Sequence, residues 1–199
     1  KPPQSDVVTC EKIFVEAENP SKGVVAKVTV ARPDKLNALN SEVSQALKEA
    51  CRWATDDDEV RVIIFAGAPP NPPAEGERAK PNAFIAGADI NEFVGIDSDT
   101  IRQQFKSNVW EVIWHLDKPT IAMVDGFALG GGCEVAMSCD IRIGSEQSKF
   151  GTPEINLGLI PGGGGTQRLA RLVGYGRAME MILSGEMVDA HSALQMGLL

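Results

Sequence analysis

Thr120-Ile-Ala-Met-Val-Asp-Gly-Phe-Ala-Leu-Gly-Gly-Gly-Cys-Glu-Val-Ala-Met137 runs from a short apolar strand through a glycine-rich turn into a helix-like segment. In a strand–turn–helix unit of this kind, the first turn of the helix has N–H groups without intrahelical acceptors. They point at whatever lies above the strand end, where the helix dipole favours negative charge. Glycine leaves that backbone bare, so a ligand can approach the amides closely. The segment carries one glutamate, Glu134. A second glycine-rich stretch, Phe150-Gly-Thr-Pro-Glu154 continuing to Ile160-Pro-Gly-Gly-Gly-Gly-Thr-Gln-Arg168, carries another, Glu154. Amides beside a carbonyl oxygen stabilise enolate charge, and carboxylates move protons to and from water and carbon.

On the amino-terminal side, Ile13-Phe-Val15 is a short apolar run and Val24 to Val30 alternates like a half-buried strand. Asn40-Ser41 supplies an N-cap for a helix with Val43, Ala46, Leu47, Ala50, Cys51 and Ala54 on one face, ended by Asp56-Asp-Asp58. Val60 to Ala66 is apolar apart from Arg61 and reads as a strand covered on both faces. Residues 67–83 hold five of the twelve prolines, which excludes helix and central strand and predicts an exposed surface loop. Phe84-Ile85 then enters a tight turn at Ala86-Gly-Ala-Asp89. A helix with Ile101, Phe105, Val109, Val112 and Ile113 is predicted before Pro119 and the strand Thr120 to Val124. From Gly165 to Leu199 the pattern is helical, with Met179, Ile182 and Leu183 as an apolar cluster. Alternating strands and helices predict an α/β protein of one domain over residues 1–199.

The composition is that of a globular protein, 43% hydrophobic and 23% charged. A net charge of −8 argues against nucleic acid or an anionic membrane as a general partner. Cys10, Cys51, Cys133 and Cys139 have no zinc-site spacing and read as reduced thiols. No apolar run has the length of a membrane span, and Lys1-Pro-Pro-Gln-Ser-Asp lacks a signal-peptide core. A cytoplasmic protein is expected, or one of an organellar matrix if a targeting segment has been removed.

Other glycine-rich chemistries fit less well. Neither glycine segment has the lysine of a phosphate-binding P-loop, and Gly126-x-x-x-Gly130-Gly-Gly132 is not a dinucleotide fingerprint. Gly-x-Ser-x-Gly is absent. His115 and His191 lie outside the glycine-rich segments, and His115, at the end of an apolar helix, is expected to pack. Ala88 has no functional side-chain group, so any role at the turn Gly87-Ala88 falls to its backbone. Apolar neighbours of Glu154 (Ile155, Leu157, Leu159 and Ile160) are expected to raise its pKa towards the range useful in acid–base catalysis.

Three motifs in this order, Phe84-Ile-Ala-Gly-Ala-Asp-Ile90, Gly126-Phe-Ala-Leu-Gly-Gly-Gly-Cys-Glu134 and Phe150-Gly-Thr-Pro-Glu-Ile-Asn-Leu-Gly-Leu-Ile-Pro-Gly162, resemble the enoyl-CoA hydratase/isomerase (crotonase) family, as does Arg32-Pro-Asp-Lys-Leu-Asn-Ala-Leu39. The resemblance extends from about residue 13 onward. It implies an α/β spiral of repeated strand–strand–helix units, and members of the family generally continue into a further helical region past the place matched by Gly197-Leu-Leu199. It also implies an oxyanion hole from the N–H groups of Ala88 and Gly131, and acid–base roles for Glu134 and Glu154 around a water. Substrate contacts are implied at Ala86, Asp89, Ile90 and Gly162, with Lys35 and Leu36 at the adenosine end of coenzyme A.

The activity so implied is reversible hydration of a short 2-enoyl-CoA, of crotonyl or acryloyl type, to the 3-hydroxyacyl-CoA. Coenzyme A is then part of the substrate, and neither metal nor redox cofactor is required. The implied assembly is a homotrimer or a pair of trimers. The alternatives are double-bond isomerisation on the same scaffold and a non-catalytic acyl-CoA- or RNA-binding relative. The proline-rich loop is longer than the turn usual at that place in the family.

Overall fold

The computed structural model describes residues 1–15, 23–93, 95 and 108–199. The larger of two sheets has the order β1 (Val8–Val15), β2 (Gly23–Val30), β3 (Val60–Gly67), β5 (Thr120–Val124), β7 (Ile141–Gly144). The first pair is antiparallel and the rest are parallel. The smaller sheet has the order β4 (Ala83–Ile85), β6 (Phe127–Leu129), β8 (Lys149–Gly151), β9 (Val188–Asp189), parallel except for the last pair. The helices are α1 (Ser41–Asp56), α2 (Val109–Trp114), α3 (Gly131–Ser138), α4 (Gly165–Val173), α5 (Tyr175–Ser184) and α6 (Ala190–Gln195).

Parallel strands need crossovers. Here each crossover from β3 to β5 and from β5 to β7 includes one strand of the smaller sheet and a helix. This is the strand–strand–helix spiral. It brings the carboxyl ends of β4, β6 and β8, with the turns that follow them, to one place.

Local signals explain most elements. The Asn40 side chain accepts from the Val43 amide at 2.8 Å and starts α1, which buries Val43, Leu47, Ala50, Cys51 and Ala54. Each such valine or leucine contributes roughly 1.5–3 kcal/mol. β2 alternates between buried and half-buried residues. β3 is covered less evenly than its apolar run predicts: Arg61 is exposed, and Val62 and Ile64 are half-buried.

Three other expectations change. The predicted helix around Ile101 and Phe105 lies outside the described residues, where α2 supplies Val109 and Ile113 to the core. The helical run after Gly165 is interrupted by β9, and α5 buries Ala178 and Met181 while Leu183 is exposed. His115 is exposed at the end of α2, its Nδ1 2.8 Å from the Glu111 carbonyl, so it terminates a helix and does not pack in the core. All four cysteines are buried and free.

The proline-rich stretch is an exposed loop between β3 and β4 with both ends clamped by one residue. Asn37 is buried with φ of 58°, and its Nδ2 donates to the carbonyls of Ala68 (2.9 Å) and Ala83 (2.7 Å) while its Oδ1 accepts from the Arg32 amide (2.9 Å). Asn71 Nδ2 and Lys80 Nζ reach Asp34 at the base of the loop. Asn37→Ala strands buried backbone groups at both loop ends and places alanine in the left-handed region. The expected loss is about 3 kcal/mol, read by urea unfolding.

Candidate active site

Gly130 ends β6 and starts α3 with φ 50° and ψ −125°, a conformation open to glycine, and its N–H donates to the Gly151 carbonyl at 2.9 Å. Gly131 is then the first residue of α3, whose N–H has no acceptor within the helix. Its carbonyl accepts from Trp110 Nε1 at 2.8 Å, which fixes the turn from behind.

Ala88 lies in extended backbone bridged to Leu39. The Leu39 N–H donates to the Gly87 carbonyl at 2.8 Å, and the Asp89 N–H donates to the Leu39 carbonyl at 2.6 Å. Successive amides in such a segment alternate in direction, so the Ala88 N–H points away from Leu39. On the other side stands the start of α3: a Cβ on Gly130 would lie 3.9 Å from Gly87 Cα.

The same Cβ would lie 3.2 Å from Glu154 Oε1, which brings the second glutamate to this turn. Glu154 sits in a 3-10 turn, Pro153–Leu157, directly after β8. Its Oε2 is buried without a hydrogen-bond partner, and burial raises its pKa. An unpaired buried acceptor is tolerated far better protonated than ionised. The apolar neighbours expected to create this environment do not do so: Ile155, Leu157, Leu159 and Ile160 are all exposed. The carboxyl instead faces the glycine turn at Gly130.

Glu134, on the first turn of α3, is 2% exposed. Its Oε1 accepts from the amides of Gly163 and Gly165, both at 2.7 Å. Burial nevertheless pushes its pKa from 4.5 up to about 7, because the two amides and the charge of Arg168 offset only part of the desolvation, and Glu154 opposes ionisation further. Between these values the folded protein holds a proton that the unfolded chain has released, so stability falls as pH rises through that window. Glu134→Gln keeps an oxygen for both amides and cannot ionise. It is expected to gain on the order of 3 kcal/mol relative to wild type between pH 5 and pH 8, measured by thermal unfolding at both values.

The remaining sequence-predicted residues are distributed around this centre. Leu36, with φ of 50°, adjoins the turn that carries Ala88 through its carbonyl, which accepts from the Ala86 amide at 3.1 Å. Lys35 is exposed beside it. The Asp89 carboxylate is taken up by Asn91 and by Arg32, 3.1 Å away, which hold it below its ordinary range. Arg32 also donates to the Ala38 carbonyl, so Asp89 latches two segments of the site together. Ile90 and Gly162 are exposed.

Sequence reasoning passed over Gly163, Gly165, Trp110 and Arg168. The signal available for Arg168 was a lone cation ending a glycine-rich motif. A separate cleft of about 620 Å³, lined by residues such as Arg142, His191 and Leu199, contains neither glutamate and neither Ala88 nor Gly131. The chemistry of its lining therefore ranks it below the glycine-lined site. Among the described residues, no helix is long and apolar enough to cross a membrane.

Known proteins share this sequence pattern and this fold. The sequence profile of the enoyl-CoA hydratase/isomerase family matches residues 20–199. A short-chain-enoyl-CoA hydratase of Clostridium acetobutylicum is 45% identical over 179 residues, covering 89% of this chain and 64% of its own length. A probable enoyl-CoA hydratase of Rhizobium meliloti is 45% identical over 189 residues, covering 94% of this chain and 67% of its own. The chain therefore spans about two thirds of the length of these relatives. A crystal structure of an enoyl-CoA hydratase subunit from Geobacillus kaustophilus superimposes with a TM-score of 0.79 at 36% identity, over 98% of this chain and 68% of that one. With the motifs, the spiral and the profile in agreement over nearly all its residues, the chain belongs to the enoyl-CoA hydratase/isomerase family.

Proposed function

We propose that the protein catalyses reversible addition of water across the C2–C3 double bond of a short-chain 2-enoyl-CoA. The observation that carries this reading is the pair of buried carboxylates with raised pKa, Glu134 and Glu154, beside the amides of Ala88 and Gly131. The name of the clostridial relative supports the short acyl chain.

The reaction begins with the thioester oxygen accepting from the amides of Ala88 and Gly131, which polarises the conjugated double bond. Glu134, ionised and held by two amides on Oε1, takes a proton from water as the water oxygen bonds to C3. The displaced electron pair collects on the thioester oxygen as an enolate. Glu154, whose buried and unpaired oxygen favours the acid form, delivers a proton to C2, and the enolate collapses to the thioester. One glutamate has gained a proton and the other has lost one, and transfer between them restores the starting state. Each oxyanion donor contributes about 2.7–4 kcal/mol to the barrier reduction.

These steps use protein groups alone, with no metal or redox cofactor. Moving a double bond within the acyl chain needs no water, so a pair of carboxyl groups, one to activate water and one to supply a proton, favours hydration over isomerisation. Exposed Leu157, Leu159 and Ile160 beside the site offer an apolar surface to another copy of the chain, which we read as part of a homotrimer or a pair of trimers, and the bacterial relatives support a cytoplasmic location. The test is loss of the enoyl-thioester ultraviolet absorbance when the protein is mixed with crotonyl-CoA. Turnover supports hydration; acyl-CoA binding without loss of absorbance overturns it.

A further inference from the structure

Arg168 is a buried cation, 7% exposed, on α4. Its Nη1 donates to the Gly163 carbonyl at 2.6 Å, its Nη2 pairs with Glu111 Oε1 at 2.8 Å, and its guanidinium lies 4.7 Å from the centre of the Trp114 ring. Glu111 and Trp114 both belong to α2, so the guanidinium bridges α2 to the glycine turn before α4. The packing at that turn leaves no freedom: a Cβ on Gly164 would overlap Arg168 Nη1, and one on Gly163 would overlap the Trp110 ring. Gly163 is the hinge of the arrangement. Its carbonyl is held by Arg168, and its N–H holds Glu134.

We propose that Arg168 is a positioning residue for Glu134: braced by Glu111 and Trp114, it clamps the Gly163 carbonyl and so aims the Gly163 and Gly165 amides at Glu134 Oε1. Burying a guanidinium is unfavourable unless its donors are paired. A surface ion pair would join α2 to α4 with less desolvation, and the buried form adds what a surface pair cannot, a fixed turn and a positive charge behind a buried carboxylate. The charged groups facing Glu134 are Glu154 from the 3-10 turn, Arg168 from α4 and, behind it, Glu111 from α2. β4, β5 and β6, which also pack on α3, carry no ionisable side chain. Removing Arg168 therefore deletes the one cation among these groups, loosens an amide donor and takes the guanidinium away from Glu111 Oε1. All three changes disfavour ionised Glu134, so its titration moves to higher pH.

The importance of that shift for turnover rests on the hydratase reading; the clamp itself does not. The experiment is an NMR titration of protein carrying ¹³C at the glutamate side-chain carboxyl, with Glu134 assigned by loss of its signal in Glu134→Gln. In Arg168→Gln the Glu134 midpoint is expected to rise by about one pH unit. Arg168→Lys, which keeps the charge but not the planar fork, is expected to recover much of that shift. If Arg168→Gln does not fold, Trp114→Leu loosens the same guanidinium from the exposed side of α2 and is expected to give a smaller rise. An unchanged midpoint in the folded variant overturns the proposal, since a residue that merely packs α4 would change the melting temperature and not this titration. A raised midpoint in Arg168→Gln, together with wild-type protein that leaves crotonyl-CoA unchanged, sinks the hydratase reading and keeps the clamp.

Discussion

Glu154→Gln is expected to bind acyl-CoA with near wild-type affinity and to hydrate crotonyl-CoA about 10³-fold more slowly. Glutamine matches the shape of the carboxyl beside Gly130 and leaves the Ala88 and Gly131 amides in place, so ground-state contacts survive. What disappears is the proton delivered to C2, because an amide cannot donate one at neutral pH. Glutamine is neutral, like the acid form that the unpaired buried Oε2 favours, so no charge is added to or removed from that site and little change in stability is expected. Steady-state absorbance assays give the turnover, and competition by a saturated acyl-CoA gives the affinity. Wild-type turnover by the variant removes Glu154 from the mechanism.

Gly132→Ala should be as damaging to the fold as Glu154→Gln is to the chemistry. A Cβ at this position would overlap the Ile85 carbonyl oxygen and come within 2.8 Å of Ile85 Cβ. The obstacle is the backbone of β4, with no flexible side chain to turn aside. To relieve it, α3 must move away from β4, and with it go the Gly131 amide on one side and Glu134 on the other. A loss of about 3–5 kcal/mol is expected, seen as a fall in soluble yield and in the urea midpoint. Gly176→Ala is the control. Nothing lies within 4 Å of its Cβ position, near the start of α5, and alanine there is expected to be neutral or stabilising by up to about 1 kcal/mol. Equal destabilisation at the two sites would mean that the close approach of α3 to β4 is not what holds the site.

The pH–rate profile tests both glutamates together, because the reaction needs one ionised and one protonated and activity is expected to fall on both sides of an optimum. They interact, so the two midpoints belong to the pair, and they are set by burial of both carboxyls and by the amides that bind Glu134.

Sequence alone determined the elements whose signal is local. The apolar period of α1 behind Asn40, the alternation of β2, and the strand, glycine turn and helix around Glu134 could all be read from consecutive residues. So could the identity of both glutamates, because carboxyl groups set among glycine turns are chemically conspicuous. Tertiary structure decided which groups meet. Gly163 and Gly165 hold Glu134 through amides, and every residue except proline has one, so residue type carries no mark of the amides that face a site. Arg168 meets Glu111 across 57 positions, a separation at which no period survives. Exposure was misjudged for a related reason. Ile155, Leu157, Leu159 and Ile160 are apolar in composition, but a 3-10 turn and the loop after it have no fixed inward face. Only the spiral, by stacking the ends of β4, β6 and β8, determines which side of that segment turns towards the glutamates and which faces outward.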